Sequence, residues 1–133
     1  MVDLLATAAA VSLLLQPIPS GKATHYREGL MDRVVANRVR WGQLDLSLAH
    51  VGYVALADKR WIGRRVILQT PDGQLYGPLL VSDCGQAAHQ QWLRDIGFAV
   101  DLSYELAEAL DTVGKPLRGV KVSLWSDWPP EAE

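Results

Sequence analysis

A chain of 133 residues suits one domain and leaves little room for a second. Its apolar fraction of 49% is enough for a core, and 13 basic against 15 acidic residues (net charge -2) gives no electrostatic case for nucleic acid. One cysteine, Cys84, excludes an intramolecular disulfide and a four-cysteine zinc site. The chain opens with Leu4 to Leu15, an apolar run of signal-peptide length and too short to span a bilayer comfortably. Pro17, Pro19 and small residues follow it. Residues 1–20 therefore read as an export signal absent from the mature protein, although no Lys or Arg precedes the run. A helix packed on the domain is the alternative. The expectation is an exported protein, periplasmic or extracellular, with no stable membrane span and a monomeric state.

Residues 21–125 read as the domain. Ala23 to Tyr26 looks like a short strand, with Gly29 marking a turn. Leu30, Val34 and Val35 have roughly helical spacing, but the run is short and β-branched, so the segment stays unassigned. Leu44, Leu46 and Leu48 alternate strictly, which predicts a strand, and Val51 to Ala57 predicts another. Asp58 to Gly63 is a loop carrying Trp61. Arg64 to Thr70 is a strand, Thr70-Pro71-Asp72-Gly73 a turn, and Gln74 to Ser82 the return strand. Pro78 there suggests an edge or a bend.

Gln86 to Ile96 places Ala88, Trp92, Leu93 and Ile96 on one helical face, predicting a helix near 87–96 that Gly97 ends. Phe98 to Asp101 is a short strand. Ser103 caps a second helix near 104–113, with Leu106, Leu110 and Val113 as its stripe. Leu117 to Trp125 is the last strand, burying Val120, Val122 and Leu124. Residues 126–133 form a polar tail. Many short strands, two short helices and no alternating βαβ pattern predict a mainly β domain, a compact barrel or mixed β fold.

Asp83 ends one apolar run and Asp101 ends another, eighteen residues later. Two carboxylates fixed by rigid elements are what a polysaccharide-cleaving site needs. Phe98, Val100 and Leu102 around Asp101 would raise its pKa, as a general acid requires; backbone N–H groups at the helix start would lower it. Asp83 is either a base or substrate-binding carboxylate, or a turn residue. Thr24 and His25 are polar side chains that could face a groove, and Trp61 and Trp92 are candidate sugar platforms, Trp92 equally a core contact. Cys84 and His89 lack a third orienting group for thiol chemistry. The histidines, at 25, 50 and 89, are far apart, so no metal and no cofactor is expected.

The order of these elements resembles a family. Gly21-x-Ala23-Thr24-x-Tyr26 is similar to the opening of rare lipoprotein A (RlpA-like) and expansin-like domains. Ala55 to Val66, Val81-Ser82-Asp83 and Asp101-Leu102-Ser103 are similar, in the same order, to their later motifs. The chain departs from them in Cys84-Gly85-Gln86, where RlpA-like proteins carry Arg-Gly-Pro, and in Ala99-Val100 before Asp101. The resemblance implies a six-stranded double-psi β-barrel of the barwin-like endoglucanase superfamily. It implies Asp101 as catalytic acid/base, Asp83 as its partner, and Thr24 as a substrate-binding hydroxyl. The function it implies is action on cell-wall polysaccharide, peptidoglycan or a similar glycan, by lytic transglycosylase-like or hydrolytic cleavage. A non-catalytic glycan-binding or interaction module on the same barrel is the alternative.

Overall fold

A computed structural model describes residues 21–84 and 97–125. Its strands are β1 (Gly21–His25), β2 (Gly52–Leu56), β3 (Arg65–Gln69), β4 (Leu75–Cys84), β5 (Phe98–Leu102) and β6 (Leu117–Leu124). Its helices are α1 (Leu30–Arg40) and α2 (Tyr104–Ala109), with a 3₁₀ turn at Lys59–Trp61. The strands close into a barrel in the order β1-β5-β2-β4-β3-β6. β1 runs parallel to β5 and β2 parallel to β4, and the other four pairings are antiparallel. The domain is thus mainly β, a closed six-stranded barrel with two helices among the described residues, as expected. This mixed strand order is compatible with a double-psi barrel.

Alternation explains the core. Ala23, Val54, Leu56, Val66, Leu68, Leu79, Val81, Val100, Leu102, Val120, Val122 and Leu124 come from all six strands and form one buried cluster inside the barrel. Alternate positions such as Ile67, Leu80 and Asp101 lie outside that cluster. The hairpin between β3 and β4 closes as expected: the Gly73 N–H donates to the Thr70 carbonyl at 2.9 Å, with Gly73 at φ +91.

The unassigned segment is helix α1. Met31 and Val35, four apart, bury against Leu80 on the outer face of β4, and that packing overrides the weak helix propensity of the β-branched run. The helix ends in a Schellman motif: the Gln43 N–H donates to the Arg38 carbonyl (2.8 Å) and the Gly42 N–H to Val39 (3.0 Å), with Gly42 at φ +73.

Three sequence expectations need correction. Leu44, Leu46 and Leu48 form no strand. Asp45 Oδ1 accepts the Ser47 N–H at 3.0 Å and its hydroxyl at 2.6 Å, a local turn that competes with extension. Leu44 alone of the three joins a buried cluster. Of the edge or bend read at Pro78 the edge fails, because β4 is paired on both sides, and the bend holds, because the β3 register shifts where Gly77 and Pro78 face Ile67 alone. Pro78 sits just ahead of the first β2 pair, at Leu79, where a missing N–H removes no ladder bond. Helix α2 is capped by Ser103 as expected, its hydroxyl accepting the Leu106 N–H at 3.4 Å, but it ends at Ala109. Asp111 takes φ 58 and turns the chain, leaving Val113 exposed rather than in a stripe. The expected helix near 87–96, with His89 and Trp92, and the segments 1–20 and 126–133 lie outside the described residues.

Candidate functional site

The barrel register assembles one row across four strands. Ala55 of β2 is paired with Asp83 of β4 on one side and with Asp101 of β5 on the other. Asp101 is in turn paired with Thr24 of β1. Val54, Leu56, Val100 and Leu102, the neighbours of Ala55 and Asp101, all point into the core. The row therefore faces outward, with the small Ala55 as a floor between two carboxylates. Two strand spacings put the Asp83 and Asp101 Cα atoms roughly 9–10 Å apart.

Asp83 reaches this face through a bulge. Val54 pairs with Val81, but Ala55 pairs with Asp83, so Ser82 is an extra residue in β4. Plain alternation after the core residue Val81 would have turned Asp83 inward. One inserted residue re-aims it. Ser82 is fully buried and satisfies its hydroxyl on the Leu80 carbonyl at 3.2 Å.

Each Asp83 oxygen is then held. The Tyr26 hydroxyl donates to Oδ2 at 2.6 Å, and Arg38 donates to Oδ1 at 2.8 Å in an ion pair. Tyr26 packs on the Met31–Val35 cluster, so the helix that covers β4 also sets the Tyr26 ring. Gln43, delivered by the Schellman turn, accepts the second Arg38 N–H at 2.8 Å. Burial, the bond to Asp83 and the Asp83 and Asp101 charges push the Tyr26 hydroxyl above its ordinary range, so it stays protonated and donates. Asp83 is an anchored anion.

Asp101 differs. Thr24 Oγ1 donates to its Oδ1 at 2.9 Å, and among the described residues Oδ2 has no hydrogen-bond partner. Burial pushes the carboxyl from its ordinary 3.8 up to about 6; the Thr24 bond and the nearby His25 oppose this, and the Asp83 charge adds to it. Of the two sequence-level alternatives for Asp101, the raised one holds. A carboxyl that exchanges its proton near pH 6 can serve as either acid or base around neutrality. The two carboxyls differ in their surroundings: both Asp83 oxygens are bonded, by Tyr26 and Arg38, whereas Asp101 is held through one oxygen by Thr24.

His25 is not a free surface histidine. Its Nδ1 lies 2.8 Å from the Tyr26 carbonyl, and its Nε2 accepts the Gly114 N–H at 2.9 Å. The first contact suits Nδ1 as a donor and the second uses Nε2 as an acceptor, so both ring nitrogens are engaged by the backbone. The ring ties the turn after α2 to β1. Lys22, Thr24, His25, Gly114, Lys115 and Pro116 line a cleft of about 320 Å³ there. A larger cleft, about 500 Å³, opens between α1 and α2 over the start of β2, with His50 and Tyr53 in its lining but neither carboxylate.

Among the expected residues, Thr24, Asp83 and Asp101 come together. Trp61 does not: it is 2% exposed and part of the barrel core, so its face is unavailable to a ligand. Its 3₁₀ turn folds the indole inward, and the loop reading missed that. Burial and the Asp83 charge push the Cys84 thiol up, which disfavours a thiolate nucleophile. Tyr26, Arg38 and Ala55 were missed as site residues. Tyr26 stood in the opening motif, whereas nothing in the local sequence marks Arg38. Among the described residues no group of three His, Cys, Asp or Glu could hold a metal ion, and no helix is long and apolar enough to cross a membrane. No protein-family model matches the sequence, and no curated protein or solved structure matches it.

Proposed function

We propose that this barrel is an exported, RlpA-like double-psi domain that cleaves glycosidic bonds in a cell-wall polysaccharide, with Asp101 as acid/base. The observation that carries the reading is the half-buried Asp101 carboxyl, raised to about 6, in one outward row with the anchored Asp83. Asp101 gives its proton to the leaving glycosidic oxygen as the anomeric C–O bond breaks. It then takes a proton from the attacking hydroxyl as the new C–O bond forms. Because Arg38 and Tyr26 occupy both Asp83 oxygens, Asp83 suits holding charge and orientation better than activating a water. That favours a transglycosylase-like course, in which a sugar hydroxyl attacks, over hydrolysis by a carboxylate pair.

The test is release of soluble fragments from purified peptidoglycan and from cellulose. Wild type should release fragments from one of them, and Asp101→Asn should bind but not cut. Full activity in Asp101→Asn would place the chemistry elsewhere. A second reading, a glycan-holding module without cleavage, is favoured by Cys84-Gly85-Gln86 in place of Arg-Gly-Pro. Retention of glycan by a wild type that releases nothing would select it.

A further inference from the structure

We infer that the cleft beside Thr24 is a carboxylate subsite, so that the glycan taken by this protein is an acidic one. The inference rests on the glycan reading above and names the substrate class of that site. The lining of the cleft carries two ammonium groups, Lys22 and Lys115, and no Asp or Glu. This is a local reversal of sign in a chain of net charge -2. Neither lysine has an ion-pair partner among the described residues.

Both lysines are held from the backbone. Lys22 is two residues before Thr24 on β1, its Cα roughly 6.5–7 Å from that of Thr24. Lys115 follows Gly114, whose N–H is held by His25 Nε2 at 2.9 Å, and its own N–H donates to the Thr112 carbonyl at 3.2 Å. Thr24 belongs to the cleft lining and also holds Asp101, so the cleft adjoins the acid through one shared side chain. A sugar carrying a carboxylate would rest between the lysines while the neighbouring glycosidic oxygen lies at Asp101. Unpartnered ammonium groups in a concave site gain charge-assisted hydrogen bonds from such a ligand. A neutral sugar offers them nothing that water does not.

The carboxylate could be a lactyl ether on an amino sugar or the acid of a uronic unit. Binding distinguishes these sources and is read on Asp101→Asn, which does not consume the ligand. Peptide-free peptidoglycan strands are compared with chitin oligomers, and oligogalacturonates with their carboxyl-reduced forms. The acidic member of at least one pair should bind on the order of tenfold more tightly. That advantage should shrink between about 0.01 M and 1 M salt, as the Debye length falls from about 30 Å to about 3 Å. It should vanish when Lys22→Gln and Lys115→Gln are combined in that background, and Lys115→Glu should reverse it. Thermal midpoints verify that these variants fold.

Equal binding of acidic and neutral members, or a preference that survives both lysine substitutions, overturns the subsite. If neutral glycans are nevertheless bound and cut by the wild type, the Asp101 reading stands without it. If no glycan of either charge is bound, both fall together.

Discussion

The raised Asp101 carboxyl makes a stability prediction that needs no knowledge of substrate. In the unfolded chain Asp101 titrates near its ordinary 3.8, and in the folded barrel near 6. Below pH 3.8 both states are protonated and the site contributes no difference. Between the two values the unfolded state has released a proton that the folded state retains, so stability falls as pH rises. Above pH 6 both are ionised and the full cost remains. At about 1.36 kcal/mol per pKa unit, the gap is worth about 3 kcal/mol. Asp101→Asn removes the charge and keeps an Oδ1 acceptor for Thr24. The variant should therefore be more stable than wild type at pH 7.5, by up to about 3 kcal/mol, with the gain disappearing near pH 3.5. Urea unfolding of both proteins across pH 3.5–8, followed by tryptophan fluorescence, measures the difference. An Asp101→Asn protein equal to or less stable than wild type at pH 7.5 would refute the burial argument. It would also remove the main support for a proton donor at this position.

Three further outcomes follow from the same contacts. Thr24→Val deletes the bond that holds the Asp101 pKa down, so the high-pH edge of any cleavage activity should move upward; an edge that stays or falls contradicts that role. Arg38→Met removes the ion pair to Asp83 and the bond to Gln43, and should cost about 1–3 kcal/mol in urea unfolding. A double-mutant cycle with Asp83→Asn should return a coupling energy rather than simple additivity. Trp61→Ala should lower stability by about 3–5 kcal/mol through a core cavity, and a folded variant of unchanged midpoint with impaired glycan retention would return Trp61 to the surface.

Local patterning made most of the barrel legible. Alternation located β4 and β6, because a strand with one face in the core must repeat every two residues, and short apolar runs bounded by turn signals located β2, β3 and β5. The Pro71-Asp72-Gly73 turn and the Ser103 cap were equally readable, since both depend on residues close in the chain. The same rule failed at Leu44, Leu46 and Leu48, where the period was present but no partner strand was, and the Asp45–Ser47 turn prevailed. It also left α1 unassigned, because Met31 and Val35 are rewarded for forming a helix by a cluster that includes Leu80, far along the chain.

The sequence by itself determined which residues are candidates for the site, Asp83, Asp101 and Thr24, by placing each in or at the end of a short strand. Tertiary structure alone decided what they became. Strand pairing put Thr24, Asp101, Ala55 and Asp83 in one row, and the Ser82 bulge chose the face on which Asp83 emerges. The two carboxyls were then given opposite characters by groups far off in the chain. Arg38, forty-five residues before Asp83, anchors one as an anion, while burial keeps a proton on the other to near neutrality. A local pattern encodes only which face a side chain takes along its own strand. Register, bulges and desolvation are properties of the strands brought together, so they exist only once the barrel has closed.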